Sequence, residues 1–122
     1  MSDVREVVVV SGVRTAIGDY GGSLKDIPPT DLAAQCIKEA LSRAKIESKD
    51  VGHVVFGNVI HTEPKDMYFA RVASMNGGIP KEVPALTLNR LCGTGLQAIV
   101  TAAQMIQLGD AKIAVAGGGE SM

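Results

Sequence analysis

Only two cysteines occur in the 122 residues, Cys36 and Cys92, and they form no short paired spacing. That excludes a disulfide framework and a cysteine-based metal cluster, and it fits a reducing compartment. Charge of one sign is lacking too: 12 basic residues face 13 acidic ones, for a formal net charge of −1. Nonspecific nucleic-acid binding draws on a basic surplus, so no nucleic-acid partner is expected, and an anionic substrate would need a local site. Long apolar runs are missing near the start. The polar stretch Met1 to Glu6 precedes only Val7 to Val10, too short for a signal-peptide core or a membrane span. The chain is therefore expected in the cytoplasm with no membrane partner. Repeats, low-complexity tracts and linkers are absent as well, which points to one domain over residues 1–122.

What is present suits a packed core: 46% of the residues are hydrophobic and 20% are charged, the balance of an ordinary globular domain. The β-branched run Val7 to Val10 predicts a strand buried on both faces and central in a sheet, because it shows no polar alternation. Glycines and prolines between Gly18 and Pro29 mark a loop of defined turns. Thr30 is the expected N-cap of a first helix reaching about Lys45, with Leu32, Ala33, Cys36, Ile37, Ala40, Leu41 and Ala44 on its apolar face. A second strand is expected over His53 to Ile60, a second helix from about Met67 to Met75, and a short third strand over Pro84 to Asn89. A third helix begins at Gly95 and stops at Gly109, and a fourth strand spans Lys112 to Gly117. Strands separated by helices of this length imply right-handed crossovers, hence an α/β fold with a mostly parallel sheet and helices packed on it.

Cys92 is the residue that carries chemistry. It stands where a strand hands over to a helix, and open α/β sheets place ligand sites at the carboxyl ends of their strands. Gly93 and Gly95 let the backbone turn and a substrate approach. A helix N-terminus points free N–H groups at an anion and favours the thiolate form of a cysteine placed there. Cysteines in general are more often inert packing residues. Cys36 is read that way, since it lies on an apolar helix face with no glycine beside it.

The other candidates are weaker. Gly117-Gly118-Gly119-Glu120-Ser121 lacks the spacing of a dinucleotide-binding turn and the lysine of a P-loop, so a tight turn is the better reading. His53 and His61 have no partner at metal-ligand spacing, and nothing aims either one at Cys92 as a base. No metal is expected. Arg71 and Arg90 are isolated cations of the kind usually solvated or ion-paired.

Three motifs in order resemble one family. Arg14-Thr15-Ala16-Ile17-Gly18, with Gly21-Gly22-Ser23-Leu24 behind it, is similar to the N-terminal signature of the thiolases, the acetyl-CoA acetyltransferases and 3-ketoacyl-CoA thiolases. Asn89-Arg90-Leu91-Cys92-Gly93-Thr94-Gly95-Leu96 resembles their nucleophile motif, and Gly117 to Met122 resembles their Gly-Gly-x-Glu-x-Met segment. Thr94 stands where the family usually has serine, and Gly119 where a larger residue is common.

The resemblance implies that residues 1–122 form the first part of the N-terminal half of a five-layer α-β-α-β-α fold, an incomplete thiolase-like domain. It implies an acyltransferase in which Cys92 accepts an acyl group from acyl-CoA and a second acyl-CoA condenses with it, or the thiolytic reverse. Acyl-CoA and CoA would be the substrates, no cofactor would be bound permanently, and the enzyme would be a homodimer or homotetramer in fatty acid metabolism. The backbone N–H of Cys92 would donate to the oxyanion. The family's Gly-His-Pro base motif, its Cys-x-Gly-Gly motif and its CoA-binding loop domain belong to later parts of the sequence, so these residues alone are expected to be inactive. A ketoacyl-synthase-like condensing enzyme and a noncatalytic fragment are the alternatives.

Overall fold

The computed structural model describes residues 4–122. Its regular elements are α1 (Pro29–Ala44), β1 (His53–Gly57), α2 (Phe69–Asn76), β2 (Ala85–Leu88), α3 (Thr94–Leu108) and β3 (Ala114–Gly118), with short 3-10 turns at Ser48–Asp50 and Pro64–Tyr68. The strands form one parallel sheet in the order β2-β1-β3. Gly57 at the end of β1 pairs with both Leu88 and Gly118. The loops that follow the three strands therefore emerge along one edge.

Layering follows from strand order. The step from β1 to β2 goes one way across the sheet, and the step from β2 to β3 goes back over β1. Right-handed crossovers must then place α2 and α3 on opposite faces. Side-chain alternation along β1 matches this. Val54 and Phe56 join Ile37, Leu41, Phe69, Ala70 and Ala73 in a core with α1 and α2. Val55 faces the other way, against Ala98 and Ala102 of α3. Phe56 and Phe69 stack with ring centroids 6.3 Å apart, an arrangement that contributes about 1 kcal/mol beyond area burial. Because β1 is central, Val54, Val55 and Phe56 are all buried.

Two expectations need correction. Val7 to Val10 form no strand: Val8, Val9 and Val10 are 65%, 81% and 63% exposed. Both sides of β1 are taken by β2 and β3, and the valine run pairs with neither outer edge. A β-branched run without a ladder partner has propensity but no strand. Thr30 does not cap α1. The helix starts two residues earlier, with Pro28 at the N-cap and Pro29 at its first position. Proline's fixed φ and missing N–H suit that place, and Thr30 is buried inside the first turn with no partner for its hydroxyl.

The remaining elements lie within a few residues of their expected bounds. α1 closes on Lys45 in the left-handed conformation (φ 56), and α3 closes on Gly109 (φ 89). The stretch Leu91–Leu108 is apolar enough to cross a membrane by length and composition, yet α3 lies on the sheet through Ala98 and Ala102. Leu96, Ile99, Val100 and Leu108 on its other sides are exposed.

Candidate active site

Three loops meet at the carboxyl edge of the sheet: Asn58 to Ile60 after β1, Asn89 to Gly93 after β2, and Gly119 to Ser121 after β3. Cys92 sits in the second, one residue before the Gly93 N-cap of α3. It is an exposed free thiol. Cys36, half-buried on α1, is the other free cysteine. Gly95 and Leu96 occupy the next helical positions, where N–H groups lack intrahelical acceptors, so the local field at the start of α3 favours a negative charge.

The turn carrying Cys92 is held by short bonds. Leu91 adopts a positive φ of 50°, which costs a non-glycine residue about 1–2 kcal/mol. The turn around that residue is tied down on both sides of Leu91. Leu91 N donates to Asn89 Oδ1 at 2.9 Å, and Arg90 N donates to Thr94 Oγ1 at 2.8 Å. Leu91 O accepts from Thr94 N at 3.1 Å and from Thr94 Oγ1 at 2.6 Å. The Asn89 amide also reaches Val59 O, at a long 3.5 Å.

Glu120 ties the first loop to the third. Its Oε2 accepts from Asn58 Nδ2 at 3.0 Å and from Val59 N at 3.1 Å, and its Oε1 accepts from Ile60 N at 2.8 Å. Asn58 Nδ2 also donates to Gly119 O at 2.8 Å. Further along the first loop, Asp66 Oδ2 accepts from Thr62 N, Thr62 Oγ1 and Glu63 N. The edge that carries Cys92 is thus braced by side chains rather than by continued strand pairing.

The three closing glycines are not a tight turn. Gly117 and Gly118 belong to β3, and none of the three has a positive φ. They are needed for close approach. A Cβ on Gly117 would lie 2.8 Å from the Phe56 ring, and one on Gly119 would lie 2.8 Å from Phe69 Cζ. The space that a larger residue at 119 would use is filled by Phe69. Of the histidines, His53 begins β1 and so stands at the opposite edge from Cys92, while His61 is exposed in the loop after β1. Arg71 braces the approach to β2 by donating to Val83 O at 3.1 Å and Lys81 O at 2.9 Å. Among the described residues no cluster of three or more metal-binding side chains occurs.

Residues 7–122 match the family model described as the thiolase N-terminal domain. The chain belongs to the thiolase family. It is 67% identical over 118 residues to a beta-ketothiolase of Cupriavidus necator, covering 97% of this chain and 30% of that protein. It is 46% identical over 122 residues to the human mitochondrial 3-ketoacyl-CoA thiolase, covering 100% of this chain and 31% of that one. Among solved structures, the Bacillus anthracis acetyl-CoA acetyltransferase superposes with a TM-score of 0.89 at 38% identity, over 94% of this chain and 29% of that one. The human mitochondrial enzyme in complex with CoA gives a TM-score of 0.82 at 47% identity, over 84% of this chain and 26% of that one. The thiolase chain described here thus spans about a third or less of the relatives it matches, and its parallel sheet with packed helices is the N-terminal part of the thiolase fold.

Sequence reasoning singled out Cys92 but not Asn58, Thr94 and Glu120, which shape the loops around it. Glu120 was visible as part of a glycine-rich turn and of the Gly-Gly-x-Glu-x-Met resemblance, with no role attached to it. Its partners lie 60 to 62 residues away in sequence, beyond the reach of local spacing.

Proposed function

We propose that Cys92 is the acyl-accepting nucleophile of a thiolase acting on CoA thioesters. The thiolate attacks the carbonyl of one acyl-CoA, the carbon–sulfur bond to CoA breaks, and CoA leaves with its own sulfur carrying the electron pair. The enolate of a second acyl-CoA then attacks the Cys92 thioester. A carbon–carbon bond forms, the Cys92–carbonyl bond breaks, and a 3-ketoacyl-CoA departs with the thiolate restored. In the thiolytic direction the same bonds form and break in reverse.

The observation that carries this reading is the placement of Cys92: an exposed thiol at the carboxyl edge of a parallel sheet, at the start of α3, on a strained turn whose Arg90 N, Leu91 N and Leu91 O are all hydrogen-bonded. The Cys92 N–H is the proposed donor to the oxyanion formed at the acyl carbonyl. The base for the thiol, the second acid/base cysteine and most contacts to CoA are assigned to the remainder of a full-length enzyme. That remainder is also proposed to cover the exposed apolar side of α3, where Leu96 is 70% exposed and Ile99 is 49% exposed. Completing a five-layer arrangement would remove this surface from water. A homo-oligomer in the cytoplasm completes the proposal.

The test is acyl transfer to the full-length enzyme in the absence of a second substrate. Incubation with acetyl-CoA should leave an acetyl group on the peptide containing Cys92 and none on that containing Cys36. Cys92→Ser should abolish both the adduct and turnover, and Cys36→Ser should preserve both. An adduct confined to another residue overturns the assignment.

A further inference from the structure

Thr94 is buried, 7% exposed, in the first turn of α3. Its two branches face different things. The methyl fits a notch on the central strand: a Cβ placed on Gly57 would fall on Thr94 Cγ2. The hydroxyl accepts from Arg90 N at 2.8 Å and donates to Leu91 O at 2.6 Å, so it grips both sides of the left-handed Leu91 that precedes Cys92. A β-branched side chain has few χ1 choices. With the methyl seated on Gly57, the hydroxyl has one place to go.

We propose that Thr94 is a positioning residue for Cys92: its hydroxyl, locked in rotamer by the Gly57 notch, holds the Leu91 turn that presents the Cys92 sulfur at the start of α3. Asn89 assists from the other side by accepting from Leu91 N. The inference rests on the reading of Cys92 as the acylated nucleophile. Without the hydroxyl, Leu91 loses the second donor to its carbonyl, and Arg90 N loses its acceptor. The turn then relaxes toward ordinary backbone angles and the sulfur moves off its line of attack.

Thr94→Val keeps the shape and removes both bonds, whereas Thr94→Ser keeps the hydroxyl. In the full-length enzyme Thr94→Val should lower kcat by about tenfold or more, the scale on which small misplacements act, with KM for acyl-CoA within about twofold. Acylation of Cys92 by acetyl-CoA, followed by peptide mass, should slow in parallel, while near-ultraviolet circular dichroism stays that of the wild type. Thr94→Ser should restore both rates to within about threefold of wild type. Thr94→Val with unchanged kcat overturns the proposal, as does a loss that Thr94→Ser fails to restore. Absence of any acyl adduct on Cys92 in the wild type overturns the nucleophile reading instead. Iodoacetamide alkylation of Cys92, compared between wild type and Thr94→Val, still reports on the turn in that case, and equal rates overturn the positioning role.

Discussion

The Glu120 carboxylate, after the last strand, accepts the backbone N–H groups of Val59 and Ile60, at 3.1 and 2.8 Å, after the first. One side chain thereby fastens the loop after one strand to the loop after another at the same sheet edge, with Asn58 Nδ2 as a third donor on the same carboxylate. Three donors converge on an anion, which is the arrangement in which a hydrogen bond is strongest.

Glu120→Gln should therefore be more costly than its size suggests. The amide end of glutamine is a donor and would face at least one N–H without an acceptor. A destabilisation of about 1–2 kcal/mol is expected, seen as a lower urea midpoint. Faster amide exchange at Val59 and Ile60, with little change on α1, would place the loss in this loop. Unchanged exchange there would argue that the carboxylate is dispensable.

Gly57 and Thr94 should behave as a coupled pair. Gly57→Ala alone drives a methyl into Thr94 Cγ2, and overpacking of this kind costs about 1–3 kcal/mol. Combining it with Thr94→Ser removes the obstructing methyl and leaves contacts of 3.3 Å to Leu88 O and 3.4 Å to the residue 94 Cβ. The double variant should recover much of the lost stability. A thermal-unfolding double-mutant cycle measures this directly, and additive effects would deny the contact.

Gly119→Ala tests the packing of the third loop. The new methyl would lie 2.8 Å from Phe69 Cζ, and Phe69 is fully buried between α2 and the sheet. A loss of about 1–3 kcal/mol is expected. Phe69→Leu in the same chain should offset part of it, as judged by the unfolding midpoint.

Lys45 offers a change in the opposite direction. It closes α1 with φ 56, donating its N–H to Leu41 O and Ser42 O, and its side chain is exposed. Glycine adopts this conformation without steric cost, so Lys45→Gly should raise stability by about 0.5–1 kcal/mol. Denaturant unfolding checks it, and no effect on Cys92 acylation is expected, because the Lys45 bonds run to Leu41 and Ser42 of its own helix and not to the carboxyl-edge loops.

Much of the architecture was legible locally. The apolar spacing in 30–44 and 94–108 defines α1 and α3 because a helix repeats its faces within a few residues, and Gly109 closes α3 as its position implied. Val7 to Val10 misled for a complementary reason: strand propensity is local, but a strand exists only through a partner. Thr30 misled because Pro28 and Pro29 decide where α1 can begin.

The sequence by itself determined the helices, the parallel character of the sheet, and the singular position of Cys92 between a strand and a glycine-flanked helix start. Tertiary structure decided how that cysteine is held. The Gly57 notch under Thr94 and the Glu120 clamp on Val59 and Ile60 join residues from different crossovers, while the Thr94 grip on Leu91, local in sequence, is seated by that notch. Periodicity encodes which face of an element is apolar. It carries no record of which distant backbone groups a carboxylate will find, or which strand a methyl will seat against, when the strands align.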